Sequence, residues 1–126
     1  MPWTLVAAIL GGIAVATGAF GAHGLQSRLD AQHLDWWDKA VRYQFWHVLA
    51  LLAVEPAWRW ATAQARPELV VWANRAGWGF FVGILLFSGS LQVMALTDFR
   101  KLGMVTPLGG LSFIAGWVCL ALAARR

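Results

Sequence analysis

Charge is scarce in this sequence: Asp, Glu, Lys and Arg make up 13% of its 126 residues, against 60% apolar side chains. A soluble domain carries about 25% charged residues, which is what it takes to cover its surface with polar groups. Cysteine is scarcer still. Cys119 stands alone, so no internal disulfide can form. Low-complexity stretches, lipidation motifs and convincing internal repeats are all missing. These shortages exclude an ordinary cytosolic enzyme, a disordered regulator and a secreted disulfide scaffold. The length fits one domain.

The few charges come in blocks. Residues 1–27, 76–97 and 102–124 contain no Asp, Glu, Lys or Arg. Each run is long enough to cross roughly 30 Å of hydrocarbon at 1.5 Å of helix per residue. They predict transmembrane helices near 3–23, 74–97 and 104–124. The first is read as a retained span rather than a cleaved leader, because no Lys or Arg precedes it and its apolar stretch exceeds a leader core. A fourth span is expected near 41–60. Its charge-free centre, 43–54, is too short alone, but Lys39 and Arg42 at one end and Glu55 and Arg59 at the other can reach the boundaries. The competing expectation is a buried or re-entrant segment, with three spans. Parity separates the two, since four spans leave both termini on one side of the membrane.

Leu25, Leu29, His33 and Trp37 recur at every fourth position, which predicts a short interfacial helix over 25–39, with a plain polar loop as the alternative. Pro56 and Pro67 predict breaks between the second and third spans. Trp3, Trp36, Trp37, Trp58, Trp60, Trp72 and Trp78 all fall near expected helix ends, where an aromatic belt sits. The expected fold is all-α: one polytopic membrane domain of four antiparallel transmembrane helices plus the interfacial helix.

Glycines fall inside the spans. Gly18 and Gly21 in the first, Gly79 and Gly83 in the third, and Gly109, Gly110 and Gly116 in the fourth are expected helix-packing positions, because close backbone approach drives association in lipid. They serve packing within the bundle, self-association, or both.

Depth along the spans groups the polar residues. His23 lies at the end of the first span, Tyr43 and Gln44 lie early in the second, and His47 lies close to its centre. Ser88, Ser90 and Gln92 occupy the second half of the third, and Thr106 the start of the fourth. In an antiparallel arrangement all of them share the half nearest the 23–40 and 98–101 connections. Polar groups in lipid need partners, so these residues form a candidate interhelical network. It either lines a small pocket or an ion or proton path, or locks the helices together. The three histidines, His23, His33 and His47, show no ligand spacing for a metal or haem, and Ser90 with His47 lacks an orienting acid for nucleophilic catalysis. No cofactor and no enzymatic activity are expected.

The net charge of +4 suits anionic lipid headgroups. The basic residues form no stripe, which argues against nucleic acid. Lys and Arg divide evenly: Arg28, Lys39, Arg42, Arg100 and Lys101 on one side, and Arg59, Arg66, Arg75, Arg125 and Arg126 on the other. The positive-inside count is therefore balanced. The reading sets both termini in the cytoplasm.

Five stretches together resemble a known family. They are Gly18-Ala-Phe-Gly-Ala-His-Gly-Leu25; Tyr43-Gln44 with His47; Leu86-Phe-Ser-Gly-Ser-Leu91 with Ala95-Leu96-Thr97; Thr106-Pro-Leu-Gly-Gly-Leu111; and Phe113-Ile-Ala-Gly-Trp117. In that order they resemble domain-of-unknown-function family 423, small bacterial inner-membrane proteins with distant eukaryotic relatives. The resemblance implies four transmembrane helices, an inner-membrane location and no established activity. It favours His23, Gln44, His47, Ser88, Ser90 and Thr106, the positions already picked by depth. The sequence departs from the family at Gln92, where Tyr is frequent, and at Asp98, where Gly is frequent. The expected function is that of a non-enzymatic membrane component in contact with the bilayer, a homo-oligomer or a subunit of a larger complex. The alternative is a small carrier or channel using the polar layer.

Overall fold

Asp30 starts the longest helix of the chain: its carboxylate accepts the His33 backbone N–H at 2.9 Å, an N-cap. The computed structural model describes residues 1–125; Arg126, counted above among the basic residues, lies outside them. Four long helices occur among the described residues. They are α1 (Trp3–His23), α2 (Ala31–Ala63), α3 (Pro67–Thr97) and α4 (Thr106–Ala123). Within α3, Ile84–Gly89 is wound as a π-helix, and a 3-10 turn, Arg100–Met104, precedes α4. No strand occurs among the described residues. Pro67 stands in the first turn of α3 and Pro107 in that of α4, where a missing N–H costs nothing. Asp98 closes α3 in the left-handed region at φ 55°.

Trp3–His23, Pro67–Thr97 and Arg100–Ala123 are long and apolar enough to cross a membrane. The fourth helix, α2, is long but carries charge at both ends. Its central stretch holds the core: Val48, Leu51 and Val54 pack with Trp3, Ala7 and Leu10 of α1, Ala76, Phe80 and Ile84 of α3, and Phe113 of α4. The reverse pattern covers the outside. Leu5, Ile9 and Ile13 of α1, Trp46 and Leu49 of α2, Leu85 and Val93 of α3, and Leu111 and Ile114 of α4 are all exposed. Apolar residues outward as well as inward mark a protein whose solvent is lipid.

Three expectations are corrected. The interfacial helix over 25–39 is not a separate element. Residues 24–30 form a turn, and the rest is the first part of α2. No Gly or Pro interrupts 31–55, and ion pairs Asp35–Lys39 and Asp38–Arg42, one helical turn apart, bridge the expected joint. Pro56 does not break the chain: it sits inside α2, and the connection to α3 is only residues 64–66. Finally, Trp3 and Trp37 are buried anchors rather than belt residues. The Trp3 ring covers Gly77, its indole N–H donates to Asn74 Oδ1 at 3.2 Å, and the Trp37 ring lies on Gly21.

Candidate functional site

The polar residues in the middle of α2 are distributed to different neighbours by their azimuth on that helix. Gln44 is 3% exposed, and its amide donates to the Leu10 carbonyl of α1 at 2.9 Å. His47 turns the other way. Its Nδ1–H donates to the Tyr43 carbonyl at 2.7 Å, which leaves Nε2 as an acceptor for the Trp117 indole N–H of α4 at 3.2 Å. Both ring nitrogens of a neutral imidazole are thus used. The ring itself lies flat on Phe113, with centroids 3.5 Å apart and planes inclined by 7°.

On α3 the two serines also part. The Ser88 hydroxyl donates to the Ala40 carbonyl of α2 at 2.7 Å. Ser90 pairs with the Thr106 hydroxyl of α4 at 2.7 Å and also donates to the Phe87 carbonyl. Thr106 in turn reaches the Leu102 carbonyl at 3.3 Å. The Gln92 amide nitrogen is buried with no hydrogen-bond partner. His23 is exposed at the end of α1, away from these bonds.

The eight residues therefore do not form one network. Ser90 with Thr106 and Tyr43 with His47 are brought together; Gln44, Ser88, Gln92 and His23 are not. Depth was the wrong coordinate by itself. Residues two apart on a helix, such as Ser88 and Ser90, point about 200° apart, so sharing a level puts them on different partners. Two contributors of the same kind were missed by the sequence reading: Ser112, which donates to the Gly79 carbonyl at 2.7 Å, and Trp37, which donates to the Thr17 carbonyl at 2.8 Å. Both link helices as Ser88 and Gln44 do. For Ser112 the signal was a hydroxyl in an apolar segment; Trp37, among Asp35, Asp38 and Lys39, gave none.

The glycines sort by the space in front of them. A Cβ at Gly79 would stand 2.7 Å from the Gly116 Cα, so α3 and α4 touch backbone to backbone. Gly83 faces the Phe113 ring, Gly109 the Phe87 backbone and Gly116 the Phe80 ring, all too close for a side chain. Gly18 has ordinary clearance from Val41, and Gly110 faces open space. Gly110 is thus a correction to the packing set. It lines a groove of about 690 Å³ with Tyr43 and His47 of α2, Phe87 of α3, and Phe113 and Trp117 of α4. Exposed Leu111 and Ile114 border this groove, so it opens sideways along α4 rather than at a helix end. Ser90 and Thr106 are not part of it.

A further cluster lies at the end of the molecule that carries the 24–30 turn. His33 Nδ1 is 2.5 Å from Asp30 Oδ1, and its Nε2 is 2.9 Å from Asp98 Oδ1. Arg100 donates to Asp98 at 3.1 Å and stacks over the Trp36 ring, 5.4 Å from its centroid. Hydrogen bonds donated to the two carboxylates raise the His33 pKa above its ordinary value. Hydrogen bonds from His33, backbone and side chain, lower Asp30, and the His33 side chain lowers Asp98.

Residues 17–110 match the model of a family described as protein of unknown function (DUF423). A UPF0382 membrane protein of Staphylococcus haemolyticus is 43% identical over 114 residues, covering 90% of this chain and 87% of that protein. One from Staphylococcus saprophyticus is 44% identical over 90% of this chain and 88% of its own length. The UPF0382 membrane protein YwdK of Bacillus subtilis is 39% identical with the same coverage, 90% and 88%. No solved structure matches. Apolar helices turned outward and relatives named as membrane proteins agree, and the chain belongs to the DUF423 family of membrane proteins of unknown function.

Proposed function

We propose that this protein is a non-enzymatic component of the bacterial inner membrane, crossing it four times, with both termini cytoplasmic, and acting as a homo-oligomer or an accessory subunit. One observation carries the reading. The polar groups of Gln44 and Ser88, which are buried, and of Ser112 and Trp37, whose bonds are part-buried, each end on a backbone carbonyl of a neighbouring helix. Bonds of this kind join helices in pairs and use up the polar atoms that a water-lined path would need. A protein built this way acts through what it packs against. Gentle extraction followed by mass spectrometry of the intact assembly tests it. Several copies, or a co-purifying membrane protein, are expected; a strictly monomeric particle overturns the proposal.

The groove that reaches His47 favours a second reading, a small carrier. Proton or cation flux in proteoliposomes that is lost in His47→Gln would replace the first reading with this one.

A further inference from the structure

His33 stands between two carboxylates, one on each ring nitrogen. Asp30 belongs to the start of α2, and Asp98 closes α3, 65 residues away in sequence. A carboxylate is an acceptor only, and a neutral imidazole has one N–H. Both short contacts are satisfied together only by the doubly protonated ring. The rest of the surroundings agree. The His33 side chain is 14% exposed and packs against Trp36, with ring centroids 4.7 Å apart. Arg100 holds Asp98 and reaches Gln32 Oε1 at 3.5 Å, and Arg28 lines the same hollow from the 24–30 turn. The charges facing His33 are therefore Asp30 from its own helix start, Asp98 from the cap of α3, Arg100 from the 3-10 turn that follows it, and Arg28 from the 24–30 turn.

We propose that His33 is a pH-operated latch that ties the start of α2 to the turn after α3. Loss of one proton opens one side, and the side is fixed by geometry. Asp30 also accepts the His33 backbone N–H at 2.9 Å, so it stays in place and keeps Nδ1–H. Nε2 then turns a lone pair toward Asp98 Oδ1. Repulsion pushes Asp98 away, and Arg100 and the 3-10 turn Arg100–Met104 leave with it. The sign follows from the shifts. His33 is raised, so the tie is complete below about 6.5, its ordinary value, and is lost as pH rises through the raised one. Asp30 and Asp98 are lowered, so on the acid side the tie is lost only as pH falls through their depressed values.

The full chain in lipid nanodiscs, with 15N-labelled imidazoles, gives the test. The His33 signal is expected to titrate above its ordinary value. In Asp98→Asn it is expected to move down toward that value; Asn tolerates the left-handed conformation at 98, so the helix cap survives. Hydrogen exchange, corrected for intrinsic rates, is expected to show severalfold less protection of residues 98–104 on the alkaline side of that titration. In His33→Gln this pH dependence is expected to disappear. An ordinary His33 titration, or equal protection of 98–104 on both sides of it, overturns the latch.

Discussion

A single glycine position decides how closely two helices of this protein can approach. Gly109 and Gly110 are neighbours in sequence, at the start of the same helix, and read alike in the sequence. In the structure Gly109 is pressed on the Phe87 backbone, whereas Gly110 faces the open groove. Gly109→Ala forces α3 and α4 apart, with an expected loss of about 1–3 kcal/mol, typical of overpacking. Gly110→Ala meets nothing and is expected to be neutral or to gain up to about 1 kcal/mol of helix propensity. Thermal unfolding of the two variants in the same detergent separates them, and equal midpoints would remove the close contact. The pair also shows where legibility stops. The segment is visible from its lack of charge, but its rotation about its own axis is not, because lipid-facing and buried positions in it are equally apolar. The same blindness applied to Ser88 and Ser90, whose level was readable and whose partners were not.

Among the helices, ends matter more than middles. Before α1 stands Pro2, which supplies no side-chain cap. Instead Glu55, deep in sequence within α2, accepts the Thr4 backbone N–H at 2.8 Å while Arg59 holds its other oxygen at 2.7 Å. A carboxylate at a helix N-terminus meets the positive end of the helix dipole, so one helix caps another. Glu55→Ala is expected to leave the fold standing and to speed hydrogen exchange severalfold in the first turn of α1 alone. Uniform exchange across α1 and α2, or none, would show that the cap does not hold that turn. Nothing in the sequence points to this pairing, because the partner is a backbone atom. Helix boundaries are legible at Pro67, read as a break and found opening α3, but not at Asp30, because the four-residue spacing of Leu25, Leu29, His33 and Trp37 draws one helix across that cap. They were misread where a signal was present but overruled, as at Pro56, where packing of α2 against its neighbours outlasts one missing hydrogen bond. The π-helical turns at Ile84–Gly89 have no sequence signature at all.

For the whole molecule, the contacts at the ends set the topology. Trp3, at the start of α1, packs on Asn74 and Gly77 near the start of α3. Pro56, Ala57 and Trp60 of α2 line a hollow with Ala123 and Ala124 at the end of α4. The beginning of α1, the last turns of α2, the early turns of α3 and the end of α4 thus share one end of the molecule. The 24–30 turn and the 98–105 segment meet at the other through His33 and Asp98. Were α2 to stop short of a full crossing, α1 and α3 would have to traverse the bilayer in opposite directions. Yet Phe20–Trp37 and His33–Asp98 hold the far ends of α1, α2 and α3 to one level, and Glu55 with Thr4 holds the near ends of α1 and α2. Such an arrangement leaves α2 as long as its neighbours in the same layer. Single cysteines at Ser27, Gln64 and Lys101, each in a Cys119→Ser background, are expected to react with an impermeant thiol reagent in two classes. Positions 27 and 101 label from one side of the membrane. Position 64 labels from the other, together with tags at both termini. Labelling of 27 and 64 from the same side would leave α2 inside the membrane without crossing it, and the chain would then be a three-span protein.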